Sequence, residues 1–366
     1  MRAFRWLWAS SVCGFAAGQI SLYAIPLLAL ADLGADAAAV AALSAAGFLP
    51  YLLFGLHGGL LADRLDRRRI VLTANLGRFL LAALVPLLHA QGGLTLPLLL
   101  GIVLLAGTLS VPADAAFQAA IPQLVPPGRR SACNANVELL RSAVQIAGPL
   151  GAGALVHAAG GTGAMAANAG CFLLASLCAL ACPHPLGEAE ACACRDDPGP
   201  GRESAGAALR AGLDFVLRSG PLRLVLLAYA LWALGTSAFQ AVSVVLLTRM
   251  YGLDAATAGL VFSIGNVGFL AGSLAGRLVF RRAPFGRPVR LGAGCITAGL
   301  LLIALLGAAL PLPACAAGLL LAGGGAACFS IGFTGLRQQL TPPGMMGRAS
   351  SIVQTAGRGM IPLGAL

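Results

Sequence analysis

Residues Phe54 to Arg69 read FGLHGGLLADRLDRRR. An apolar, glycine-rich run ends in one Asp-Arg pair and then in a burst of arginines. Residues 37–62 carry no formal charge, and another largely apolar run begins at Ile70. Charge packed this tightly between two apolar spans is costly unless it lies at a membrane surface. Composition points the same way: 58% of the chain is hydrophobic and 10% charged, against roughly 25% charged in soluble domains. Mean hydropathy is +0.86. The chain reads as an all-α polytopic membrane protein.

All 24 basic residues are arginine. With no lysine, a Walker-A phosphate loop and Schiff-base chemistry are excluded. The net charge of +11 could suggest nucleic acid. The arginines lie in short loops between apolar spans, however, so a membrane-surface role explains them and no nucleic-acid partner is expected. Most of the cysteines stand singly inside apolar spans, where they act as small hydrophobes. Cys182, His184, Cys192 and Cys194 come close in sequence, but their spacing matches no standard zinc pattern. No metal and no cofactor are expected. With no catalytic triad or nucleotide loop visible, neither is an enzyme.

Taken in order, the apolar spans cover 6–30, 37–62, 70–89, 96–124, 133–157 and 164–182. Pro183 to Glu203 then mixes acids, prolines and glycines without periodicity and reads as a linker. Ser204 caps a short amphipathic surface helix expected over 205–218. Four more spans cover 222–248, 256–280, 289–310 and 313–338, and an eleventh begins near Arg348. With the N-terminus in the cytoplasm, 20 arginines fall on the inner side and Arg249 alone outside. That asymmetry sets the orientation. Arg78, Arg141 and Arg358 remain within spans.

An internal repeat organises the whole. Asp36-Ala37-Ala38 recurs as Asp254-Ala255-Ala256, and Gly55-x-x-x-Gly59 as Gly272-x-x-x-Gly276. Gln123-Leu124-Val125-Pro126-Pro127-Gly128 answers Gln339-Leu340-Thr341-Pro342-Pro343-Gly344, and Pro149-Leu150-Gly151-Ala152 answers Pro362-Leu363-Gly364-Ala365. The order is kept, and the offset drifts only from 218 to 213. This predicts two parallel six-helix halves, 1–182 and 221–366, joined by a cytoplasmic linker over 183–220. By the same repeat the last one and a half helices are missing, and the chain is expected to be a C-terminally truncated form of a protein of about 395 residues.

Gly59-x-x-x-Asp63-Arg64-x-x-Arg67-Arg68 resembles the loop motif between helices 2 and 3 of major facilitator superfamily transporters, G-x-x-x-D-R-x-G-R-R, with Asp66 where the second glycine would stand. Further stretches are similar to the drug and siderophore exporter branch that includes the enterobactin exporter and macrolide efflux proteins. They are Ile25-Pro26-Leu27-Leu28-Ala29, Asn134-Ala135-Asn136, Arg141-Ser142, Gly148-Pro149, Leu336-Arg337-Gln338 and Gly347-Arg348. The resemblance implies the major facilitator fold and alternating access. It also implies an inner gate in which Asp63 meets the start of helix 11 and Arg64, Arg67 and Arg68 complete a charge network. Without the resemblance, these arginines are topology signals alone.

Four ionisable residues fall inside spans of the first half: Arg78, Asp114, Glu138 and Arg141. Helical rise places them roughly 8–15 Å from the cytoplasmic ends. Two readings stand side by side. Asp114 or Glu138 takes a proton during exchange, with Arg78 or Arg141 tuning it, or all four form a static ion-pair cluster. Gly148-Pro149 resembles the core of an antiporter motif, and its proline should kink helix 5. His57, His89 and His157, near helix ends, read as hydrated structural imidazoles. Arg358 is a possible cavity charge.

The expected function is proton-coupled efflux of a small apolar drug-like or siderophore-like compound. The expected form is a monomeric, multi-pass protein of the inner membrane whose partners are a small-molecule substrate, protons and the lipid bilayer. The alternatives are a secondary importer of a small solute, or a truncated membrane protein that no longer transports.

Overall fold

The structure is a computed structural model of the 366-residue chain; it describes residues 2–124, 130–182, 218–279, 286–340, 360 and 363–364, and of 55–64 and a few other helix residues the backbone alone. It is helical wherever it is regular. The first helices are α1 (Arg2–Asp32), α2 (Ala37–Arg64), α3 (Arg67–Ala90) and α4 (Leu96–Leu124). A helical run from Arg130 to Leu180 follows, broken at Gly160, where φ is 72° and ψ 176°. Only glycine adopts such a backbone cheaply. The break divides the run into α5 (130–159) and α6 (161–180). The next are α7 (Gly220–Val245), continued by a π-helical turn Leu246–Met250, then α8 (Ala255–Val279), α9 (Gly286–Leu306) and α10 (Pro311–Leu340).

Among the described residues nine helical stretches are long and apolar enough to cross a membrane. One of them, Leu140–Leu180, has 41 residues. That is a rise of about 60 Å, twice a hydrocarbon core of about 30 Å, so the break at Gly160 makes it two crossings. The molecule is an all-α polytopic membrane protein.

Two differences from the sequence reading bear on the first unit. The arginine burst is not loop: Arg67 opens α3 three residues earlier than hydropathy suggested, because Asp66 caps it. The loop expected between helices 5 and 6 is absent, and the helix turns directly at Gly160. The surface helix expected over 205–218 lies outside the described residues but for Arg218. So does helix 11, apart from Met360, Leu363 and Gly364.

The helices pack into two compact units, one holding α1 to α6 and the other α7 to α10. In the first unit, contacts along α1 show the alternation of direction. On α6, Gly161 lies against Leu28, Asn168 reaches Ser21 and Ala175 meets Ser10, so the two helices are antiparallel. On α5, Gly148 approaches Gln19 while Arg141 lies over Phe15, so α5 runs with α1. Helices α2 and α4 cross closely. A Cβ on Gly107 would stand 2.7 Å from the Gly47 carbonyl oxygen and 3.2 Å from Pro50 Cγ. Such close approach of small residues is how helices associate where lipid removes the hydrophobic drive.

The second unit repeats the device. Its second and fourth helices, α8 and α10, touch through Gly268 on Leu320 and Gly272 on Gly324. The other side of α10 meets α9 through Gly292 on Gly325 and Gly299 on Gly318. A stacked aromatic group joins α7 to α10, with Tyr229 and Phe333 4.5 Å apart and Trp232 and Phe329 5.6 Å apart.

Gly292→Ala should therefore lower the detergent thermal midpoint. Its Cβ would fall 2.5 Å from both the Gly325 oxygen and the Phe329 nitrogen, an overpacking cost of about 1–3 kcal/mol. Gly294→Ala, with nothing within 4 Å of the new carbon, should leave the midpoint unchanged or higher.

Candidate functional site

Polar residues at membrane depth mark the interior of the first unit. On α3, Asn75 and Arg78 are three residues apart and share a face. That face meets α1 at Gly14 and Gly18, where added Cβ atoms would lie 3.5 Å from Asn75 Oδ1 and 4.0 Å from Arg78 Nη2. Asn75 Nδ2 donates to Ser10 Oγ at 3.3 Å, and Ser10 Oγ donates to the Ala175 carbonyl at 2.7 Å. Further along, Asn168 Nδ2 donates to Ser21 Oγ at 2.6 Å. These bonds satisfy groups that lipid could not.

Arg78 is held differently. Its Cζ lies 4.1 Å above the centre of the Phe172 ring of α6. Its Nε is buried and has no hydrogen-bond partner. A desolvated cation–π contact gives about 2 kcal/mol, less than the several kcal/mol that burying an ion costs. The compensating charge is Asp114 of α4, which with Tyr51 is the electrostatic neighbour of the guanidinium. Contact is not direct: among the described residues no carboxylate lies within 4 Å of Arg78. Asp114 is exposed, and its Oδ2 accepts a hydrogen bond from Tyr51 Oη of α2 at 2.8 Å. A carboxylate clamped by two guanidinium N–H groups is fixed in its ionised form. Asp114 is instead held by a single phenol, with the cation near but not touching.

The other ionisable candidates lie apart from this pair. Arg141 on α5 is exposed, with its Cζ 4.8 Å from the centre of the Phe15 ring. Among the described residues no ion pair joins it to Asp114. The Glu138 side chain and the whole of Arg358 lie outside the described residues. Gly148 lets α5 approach α1, since a Cβ there would stand 2.7 Å from Gln19 Cβ. Pro149 is buried beside it. The break in backbone dihedrals along this run comes at Gly160.

The arginine segment forms a second polar site. Gly59, Asp63 and Arg64 lie in the final turns of α2, with side chains outside the described residues. Asp66 caps α3: its Oδ1 accepts from the Arg68 amide at 2.9 Å. Its Oδ2 lies 3.6 Å from Arg69 Nε, a pair worth little because the Arg69 side chain is 76% exposed. Arg67 is half-buried. Arg68 reaches α6, donating from Nε to the Ala179 carbonyl at 3.1 Å and from Nη2 to the Leu180 carbonyl at 2.5 Å. Carbonyls in the last turn of a helix have no internal donor, so Arg68 caps α6 from outside.

Several participants were not singled out from sequence. Tyr51 and Phe172 are a lone tyrosine and a lone phenylalanine in apolar spans, and no spacing rule pairs α2 with α4 or α3 with α6. Asn75 had a readable signal: an asparagine one turn before Arg78, opposite a Gly-x-x-x-Gly on α1.

Asp66→Ala should cost about 1 kcal/mol, the usual loss for an N-cap carboxylate, whereas Asp66→Asn should be nearly neutral. Thermal unfolding in detergent checks both, and faster amide exchange in the first turn of α3 would locate the loss.

Comparison with known proteins places this geometry in context. The family model described as Major Facilitator Superfamily matches residues 7–365. Uncharacterised MFS-type transporters of Mycobacterium tuberculosis and Mycobacterium bovis are each 42% identical over 95 residues, 26% of this chain. The match spans only 21% of the length of those relatives. Among solved structures, a bacterial homologue of the human lysosomal transporter Spinster superposes with a TM-score of 0.75 at 13% identity, covering 99% of this chain and 80% of that one. The nucleoside transporter NupG gives 0.76 at 13% identity, covering 100% and 90%. At such identities the likeness is one of fold.

Proposed function

We propose that this chain, which belongs to the major facilitator superfamily, is a secondary active transporter that exports a small apolar, drug-like or siderophore-like solute in exchange for protons. The observation that carries the coupling is the pair at membrane depth. Arg78 holds a fixed positive charge against Phe172, and Asp114 offers an exposed carboxylate in its field. Protonation of Asp114 changes the net charge of the Arg78–Asp114 pair from zero to positive. A cycle that loads the proton on one side and releases it on the other turns a pH gradient into work on the solute.

Export is inferred from the segments similar to drug and siderophore exporters and from Gly148-Pro149. Asp63, Arg64, Arg67 and Arg68 would close the cytoplasmic side, with Gly59 allowing α2 to pack. Arg358 is a candidate cavity charge, Glu138 a second candidate proton acceptor, and Arg141 a candidate for tuning it or for pairing with it. The protein would work as a monomer in the inner membrane with its N-terminus in the cytoplasm, where the arginine asymmetry puts it.

Ethidium serves as the probe. Proteoliposomes carrying the chain should move ethidium when a pH gradient is imposed. Asp114→Asn should abolish that movement while leaving ethidium binding intact. Equal, pH-independent flux in both would remove proton coupling through Asp114. In whole cells a protonophore should raise ethidium accumulation; a fall would make the protein an importer.

A further inference from the structure

Tyr51 sits where two contacts between α2 and α4 meet. One is apolar and backbone-tight: Gly107 of α4 admits Gly47 and Pro50 of α2 so closely that a Cβ would stand 2.7 Å from the Gly47 oxygen. The other is polar. Tyr51 follows Pro50 directly, and its Oη donates to Asp114 Oδ2 at 2.8 Å. Asp114 lies two turns along α4 from Gly107. The crossing is thus pinned by a contact that does not titrate and, beside it, by a hydrogen bond whose strength depends on the charge of Asp114.

We infer that Tyr51 is the positioning residue that transmits the protonation state of Asp114 to α2, the helix whose inner end runs into the arginine segment. This rests on the reading of Asp114 as the proton-accepting group. A hydrogen bond to a carboxylate is about twice as strong as one to a neutral carboxyl. Proton loading therefore weakens the polar pin and leaves the glycine crossing as a fulcrum about which α2 can tilt. The helical arm from Tyr51 to Arg64 spans 13 residues, a rise of about 20 Å, so a small rotation at the fulcrum becomes a larger displacement at the cytoplasmic end.

Among the described residues, two groups face Asp114. Tyr51 comes from α2 and Arg78 from α3. Helix α1 carries no charged residue between Arg5 and Asp32, and α4 carries none besides Asp114 itself. Arg78 keeps its charge throughout the cycle. Of the two facing groups, Tyr51 alone bonds the carboxylate directly on a different helix from the fixed cation, so the protonation signal passes to α2 through it.

The test uses the full chain in lipid with native cysteines replaced and Leu65→Cys as reporter. Leu65 directly follows α2 and is 53% exposed. The readout is the ratio of maleimide labelling rates in acid and in neutral buffer. In the parent this ratio should depart clearly from one. Tyr51→Phe should bring it back close to one, because the hydrogen bond that carries the signal is lost, with ethidium binding retained. Adding Tyr51→Phe to Asp114→Asn should cause no further change. Gly107→Ala, which forces the helices apart without touching either polar group, should also flatten the ratio. If Asp114→Asn removes the pH response and Tyr51→Phe does not, the role of Tyr51 is overturned and the coupling at Asp114 stands. If Asp114→Asn keeps the response, both fall.

Discussion

The guanidinium of Arg78 lies close to the middle of α3, eleven residues after Arg67 and twelve before Ala90. A helix of that length rises about 36 Å, so Arg78 lies roughly 17 Å from either end, at a depth where a charge is costly. Much of the first unit can be understood as the housing this charge requires. Helix α1 gives up side chains at Gly14 and Gly18 to admit the polar face of α3, and α6 contributes the Phe172 ring. Ser10 with Asn75, and Ser21 with Asn168, form hydrogen bonds along the same seams. Among the described residues the housing offers no carboxylate in contact with the cation. Charge balance is left to Asp114, which is exposed and lies in the field of Arg78. A fully satisfied ion pair would make a stable core and a poor switch.

The arginine segment works by separate physics. Its residues are organised by the ends of helices rather than by the bilayer interior. Asp66 starts α3, and Arg68 finishes α6 by donating to Ala179 and Leu180. The departure from the superfamily motif at Asp66 thus has a local cause. A glycine there would leave the first amides of α3 without a side-chain acceptor, and the aspartate supplies one. The segment therefore ties α3 to α6 within one unit, whatever it does toward the rest of the chain.

Most of the fold was legible because hydrocarbon leaves few options. Apolar runs of 20 or more residues must be helices that satisfy their own backbones, and α4 falls on the residues hydropathy marked. The end of α2 and the start of α3 were read less well, because capping is decided by single side chains such as Asp66 rather than by composition. The turn at Gly160 was missed for a related reason: one left-handed glycine replaces a loop that apolar averaging cannot distinguish from helix. At the candidate site, Arg78 and Asp114 were visible as charges inside apolar spans. Tyr51 and Phe172 were not, since contacts between α2 and α4 or α3 and α6 depend on how the bundle closes.

The central claim is that Asp114 takes up a proton at membrane depth in the field of Arg78. An infrared difference spectrum of the full chain in lipid, acid minus neutral buffer, addresses it without knowledge of the solute. Protonation of a carboxylate creates a carbonyl stretch absent from the ionised form. The account expects such a band in the parent protein and its loss in Asp114→Asn. A band of the same size in Asp114→Asn would show that the proton goes elsewhere.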